Sequence, residues 1–222
     1  MRTFFTLSFV FSCLLMVQGQ GKAASICGAA AGNLVANCGF ETGDFTSWTL
    51  TGNDTPAELD NLYGVEGVDP IDSIGPNSGS NQAFFADLVA NSTTLSQVIT
   101  TNPGDVYAIS FYLAQDTDPA SGGGQYTNAF AASFDGISLM ASSVIPVEGY
   151  TQYSYTEMAL DASSALNLVL GNDLGEFLVD DVVVTDTSAT AATPEPSALL
   201  LMLAACAITG VAGAKKFRRS VV

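Results

Sequence analysis

From residue 24 to residue 193 no segment carries a helical period; apolar residues come in short alternating runs, each broken by Gly, Pro, Asn or Asp. Alternation with a period of two is the pattern of a strand with one buried face, and a succession of such runs specifies an antiparallel sheet protein. The run 106–113 is the cleanest, with Tyr107, Ile109, Phe111 and Leu113 on one face and Ala108, Ser110 and Tyr112 on the other. Pro103-Gly104-Asp105 turns the chain into it, after a strand over 94–100. Asp135-Gly136 separates the runs 130–134 and 137–142, and Asp-Gly between apolar residues is a strong hairpin signal. Further strands are predicted over 47–51, 83–88, 150–158, 165–170 and 177–185. Nine strands in one domain suit a β-sandwich of the jelly-roll kind. The stretch 52–80, rich in Gly, Pro, Asp and Asn, reads as one long surface loop.

Charge is distributed as unevenly as the pattern is regular. The six basic residues are Arg2, Lys22, Lys215, Lys216, Arg218 and Arg219, and the chain has no His. Residues 24–193 therefore carry 21 of the 22 carboxylates, Glu195 being the other, and between Ala23 and Ala214 there is no base. Binding to nucleic acid is excluded, because phosphates are neutralised by Lys or Arg. Catalysis by His or Lys is excluded with it.

The ends read as targeting segments. Arg2, the 14-residue, mainly apolar run 4–17 and the small and polar residues 18–24 form the three parts of a secretory signal peptide. Cleavage after Ala23 is expected, with Gly19 as an alternative. A first membrane helix is the weaker reading, since spanning takes about 20 apolar residues. At the other end, the 18 residues 197–214 carry no charge and the cluster Lys215, Lys216, Arg218 and Arg219 follows. At ~1.5 Å per residue such a helix reaches ~27 Å, enough for a hydrocarbon core, with the basic cluster left on the cytoplasmic side. Residues 188–193 make a short linker of small side chains before it.

Cys13 leaves with the signal peptide and Cys206 lies in the apolar helix, so the exported domain keeps Cys27 and Cys38 alone. In an oxidising compartment that pair reads as one disulfide. Its small loop would contribute about 3 kcal/mol by the chain-entropy estimate.

Pro194-Glu195-Pro196, followed by the apolar helix and the basic tail, resembles the PEP-CTERM sorting signal of Gram-negative bacteria. That resemblance implies recognition by an exosortase-type sorting enzyme. It also implies an inner-membrane intermediate anchored by the C-terminal helix, then delivery to the cell surface or an exopolysaccharide matrix. An ordinary tail anchor is the alternative. Within the domain, Asn33-Leu34-Val35-Ala36-Asn37-Cys38-Gly39-Phe40-Glu41 with Gly43-Asp44-Phe45 and Trp48 is similar to the opening of many PEP-CTERM ectodomains. Carbohydrate-binding modules of galactose-binding-like fold begin in a similar way. Such modules close on a strand like Phe177-Leu178-Val179-Asp180-Asp181-Val182. Cys38 departs from the pattern, which has Gly there.

The resemblance implies a structural calcium held by Glu41 and by Asp180 or Asp181. Physical chemistry supports the transfer. Adjacent Asp residues on a regular strand point to opposite faces, so one should face inward. Without a base to pair with, that carboxylate suits a hard cation. The alternatives are that both Asp stay hydrated near a strand end, or that one accepts backbone N–H bonds. Asp116-Thr-Asp118 with Gly122-Gly123-Gly124 lacks the ligand pattern of a calcium loop, and the glycines lack the Lys of a phosphate cradle.

Sugar rings stack on exposed aromatics. Tyr63 and Tyr126, both placed in polar loops, are the expected platforms, whereas Trp48 belongs to the core. The expected function is a non-catalytic, surface-delivered, glycan-binding matrix protein. The alternatives are a purely structural matrix protein, an ice-binding protein marked by Thr-x-Thr ladders, and a small glycosidase using two carboxylates.

Overall fold

The computed structural model describes residues 24–52, 63–68, 73–116, 127–173 and 175–188. The proposed signal peptide, residues 189–193 of the linker, the Pro194-Glu195-Pro196 motif, the apolar segment 197–214, the basic tail and Tyr126 lie outside them. Among the described residues no helix is long and apolar enough to cross a membrane.

The described chain is an antiparallel β-sandwich. After a one-turn helix α1 (Ile26–Ala29) come β1 (Thr49–Thr51), β2 (Tyr63–Glu66), β3 (Gln82–Phe85), β4 (Thr93–Thr100) and β5 (Val106–Gln115). They are followed by β6 (Thr127–Phe134), β7 (Ile137–Ser142), β8 (Glu148–Met158), β9 (Ser163–Asp173) and β10 (Phe177–Asp186). One sheet has the order β1-β4-β9-β6-β7 and the other β2-β3-β10-β5-β8. Below these are the first and second sheets.

Alternation does what the sequence specifies. In β5 the residues Tyr107, Ile109, Phe111 and Leu113 are buried, as are Leu166, Leu168 and Leu170 of β9. Aromatic rings join the two sheets: Phe111 meets Phe130 at 5.4 Å, and Phe130 meets Phe177 edge-on at 5.9 Å. Each such side chain contributes roughly 1.5–3 kcal/mol through burial. Trp48 is core as expected, stacked on Phe40 at 5.7 Å with its indole N–H donating to the Asn37 carbonyl. The Asp135-Gly136 hairpin forms with φ of 52° and 77°, the left-handed pair that a tight two-residue turn needs.

Two expectations fail here. The stretch 52–80 is not all loop, because Tyr63–Glu66 forms β2, paired antiparallel with β3. Its four residues are too few, and too interrupted by Gly64, for alternation to show. Tyr63 is accordingly no exposed platform. Its ring stacks on Phe85 at 6.3 Å and meets Phe45 edge-on at 6.0 Å.

The segment ahead of β1 is a strap along the second half of β10, where the short β3 has ended. The Leu34 N–H donates to the Val184 carbonyl and the Val182 N–H to the Cys38 carbonyl. Gln97, reaching across from β4, bonds both the N–H and the carbonyl of Ala36. The expected disulfide between Cys27 and Cys38 closes this strap on itself.

Candidate functional site

The strap, β10 and the segment 77–81 meet at a cluster of carboxylates. Asp180 and Asp181 do not point to opposite faces, as a regular strand would require. The β10–β5 register slips between Asp180 and Val183, and Asp181 takes a left-handed φ of 48°. This bulge turns both side chains towards Ser78, whose N–H donates to Asp180 Oδ2 at 3.1 Å and whose hydroxyl donates to Asp181 Oδ2 at 2.6 Å. Both residues are buried.

Their roles differ. Asp181 accepts four bonds: from Ser25 Oγ and the Cys27 N–H at Oδ1, both at 3.0 Å, and from Asn77 Nδ2 and Ser78 Oγ at Oδ2. It is a hydrogen-bonded anchor that joins the strap to segment 77–81. Among the described residues Asp180 accepts two backbone N–H bonds, from Ser78 and Asp181. Burial, with Asp181 and Glu41 nearby, pushes its pKa up to about 8 against the opposing pull of those two bonds.

Glu41 reaches the same segment, Oε1 accepting from the N–H groups of Ser80 at 2.8 Å and Asn81 at 3.2 Å. Gly79, at a φ of 69°, makes that approach feasible, because a Cβ there would collide with the Glu41 carboxylate.

A hard cation needs several oxygens with lone pairs to spare. Asp181 does not fit, since four donors already engage its two oxygens. Asp180 and Glu41 fit better, two carboxylates near each other in a domain without a base. Among the described residues no three Asp, Glu, His or Cys side chains gather in one place fit to hold a metal ion. Any further ligands would have to be carbonyl or hydroxyl oxygens.

Beside the cluster, on the outward face of the second sheet, Tyr150 donates to Gln82 Oε1 at 2.8 Å. Gln82 in turn donates to Glu66 and to the Ile74 carbonyl. Burial first, then the neighbouring Asp180, Asp181, Glu66 and Glu176, raise the Tyr150 phenol far above its ordinary range. It is a hydrogen-bond donor, not a general base.

Further along that face an open trough of about 470 Å³ crosses β10, β5 and β8, lined by Ala108, Ser110, Ser154, Thr156, Val183 and Thr185 with Ile109 and Tyr155. It carries hydroxyl and methyl groups and no carboxylate. The sequence shows these residues only as the polar side of alternating strands, so nothing in it singles them out. Ser25, Asn77 and Ser78 were equally silent, although the run Asn77-Ser78-Gly79-Ser80-Asn81 is dense in donors.

No family model and no curated protein matches the chain. Among solved structures it is similar to TmCBM61 in complex with beta-1,4-galactotriose, at 21% identity and a TM-score of 0.49, covering 69% of this chain and 98% of that one. It is also similar to Family 16 Carbohydrate Binding Module-2, at 12% identity and a TM-score of 0.47, covering 69% of this chain and 100% of that one. A third is the CBM22-1 xylan-binding domain from Paenibacillus barcinonensis Xyn10C, at 15% identity and a TM-score of 0.44, covering 72% and 100%. The fold assignment itself rests on the strand order and register above.

Proposed function

We propose that the domain is a non-catalytic glycan-binding module, exported by its N-terminal segment and sorted by the Pro194-Glu195-Pro196 signal to a surface or exopolysaccharide matrix. The observation that carries the glycan reading is the trough on the second sheet. Its floor of small hydroxylated side chains offers hydrogen bonds to sugar hydroxyls, and Ala108 and Val183 offer apolar contact to the C–H faces of a ring. The same reading assigns a structural calcium to Glu41 and Asp180, with Asp181 as the anchor that fixes the strand beneath them.

A glycan array probed with the full chain in detergent, with calcium and with chelator, tests this reading. Retention of neutral polysaccharides is expected, and Thr156→Trp, which fills the trough from an exposed position, should abolish it while leaving the melting temperature unchanged. An array without any retained glycan would leave the structural matrix protein as the better reading.

A further inference from the structure

At the end of the sandwich where β10 begins, the interior changes from apolar to polar. Thr93 of β4, Asn172 of β9, Asn128 of β6 and Gln115 of β5 are 0, 1, 5 and 1% exposed. Asn128 and Asn172 are register partners, and Thr93 pairs with Leu170, two residues before Asn172. Asn172 therefore stands beside Asn128 and diagonally beside Thr93 on the inner face of the first sheet, within about 5–8 Å of each. Gln115 faces them from the second sheet, its Oε1 accepting from Asn128 Nδ2 at 2.9 Å.

The chain crossing from β3 to β4 closes this end. The Asn172 N–H donates to the Asp87 carbonyl and the Val89 N–H to Asp173 Oδ1 at 2.8 Å. The 3-10 turn Val89–Asn91 lies so close to β9 that a Cβ on Gly171 would come within 2.8 Å of the Val89 Cα.

Asn128 is satisfied by Gln115 and by the carbonyl and N–H of Ile145. Its neighbours are not: among the described residues Thr93 Oγ1, both amide atoms of Asn172 and Gln115 Nε2 have no hydrogen-bond partner. A buried polar group left in that condition costs about 1–3 kcal/mol, and native interiors seldom collect three such side chains in one place.

The mixture of groups decides what they bind. The two amide NH₂ groups need acceptors, the Asn172 oxygen needs a donor, and the Thr93 hydroxyl serves as either. A cation would suit the two oxygens and be repelled by the NH₂ groups. An anion would meet a domain of 21 carboxylates and no base. Water donates and accepts at once, and a site with two to four polar partners is the kind that holds it. We propose that this chamber is a binding site for internal water that bridges Thr93, Asn172 and Gln115 and holds the β3–β4 crossing against the sheet.

The test uses the full chain in detergent and two variants, Thr93→Val and Asn172→Leu. Oxygen-17 relaxation dispersion counts long-lived internal water, and thermal melting reads the sign of the stability change. The expected result is a smaller dispersion amplitude in both variants together with a lower melting temperature for Thr93→Val, because a bridging water loses an anchor. In a dry chamber the same isosteric change removes an unpartnered hydroxyl, so the melting temperature rises and the dispersion is unchanged; that result overturns the proposal. So does a melting shift produced by one added cation and lost in Asn172→Leu. Should Asn172→Leu fail to fold, Thr93→Val and Thr93→Ser decide, Thr93→Ser being expected to keep the dispersion amplitude.

Discussion

Replacing Asp181 by Asn changes one atom and should cost the domain much of its margin of stability. The carboxylate accepts from Ser25 Oγ and the Cys27 N–H on one oxygen and from Asn77 Nδ2 and Ser78 Oγ on the other. Asn keeps the first oxygen and puts an NH₂ in place of the second, facing the Asn77 NH₂ donor. Two charge-assisted bonds are lost, each worth roughly 1.5–3 kcal/mol, and as neighbours they do not add fully. A net loss of about 3 kcal/mol corresponds to a fall of roughly 6–12 °C in a domain of this size. Asn tolerates the left-handed backbone at position 181, so the loss isolates the hydrogen bonds. Asp181→Ala should be worse, since it also leaves the buried Cys27 N–H unpartnered and strains the backbone. Circular dichroism melts at pH 7 in chelator measure both. An Asn variant within about 2 °C of the parent, or an Ala variant no worse than Asn, would refute the anchor role.

Two further predictions concern Asp180 and calcium. The folded-state pKa of Asp180 is raised to about 8 above an ordinary carboxylate value, so its contribution is fully present below about pH 4 and lost as pH rises through 8. The chelated protein should be less stable at pH 9 than at pH 6, by on the order of a few kcal/mol at most, and so melt lower, and Asp180→Asn should flatten that slope. Sub-millimolar calcium should raise the melting temperature where sodium chloride of matched ionic strength does not, by the linkage that gives about 2.7 kcal/mol at a hundredfold excess over Kd. Glu41→Gln and Asp180→Asn should each abolish the calcium shift and Asp181→Asn should leave it; a shift that survives the first two changes places the ion elsewhere.

The long strands were legible because their alternation is uninterrupted: β5, β6 and β9 bury every second residue over most of their length. β2 was not, because its four residues gain their strand geometry from pairing with β3 and not from a pattern of their own. The opening and closing motifs point to Glu41, Asp180 and Asp181, and the structure brings all three to segment 77–81, but not with the orientation that a regular strand implies. Period-two reasoning sends Asp180 and Asp181 apart, and the bulge between β10 and β5 brings them together. A bulge depends on what crosses the strand, here the strap from residue 25 to residue 38, and that is not visible in the strand's own residues. The polar chamber has the same character. Thr93, Gln115, Asn128 and Asn172 are far apart in sequence, and each looks locally like one polar residue interrupting an apolar face.

Charge explains why the outward face of the first sheet differs from its edges. With no base available, every carboxylate must find solvent, N–H donors or a cation, and a flat sheet face offers none of the donors. The first sheet's outer face illustrates this. Following the register across it, Thr49, Ser96, Asn167, Ser133 and Ser138 form one row, and Thr51, Thr94, Val169, Ala131 and Ala141 form the next, without one carboxylate. Asp135, Asp173 and Asp181 instead occur where chain crossings and turns present free N–H groups: Leu160 and Asp161 to the first, Val89 to the second, Cys27 to the third. The same rows answer the ice-binding alternative. In these two rows Thr stands opposite Thr or Ser only between β1 and β4, and from β9 onward they pass to Asn, Ser, Val and Ala; Thr100 faces Ser163 across β4 and β9 as a single further pair. A repeating threonine ladder would have to continue through those strands, so the face does not support that reading, whereas a trough of hydroxyls on the opposite sheet is what the glycan reading requires.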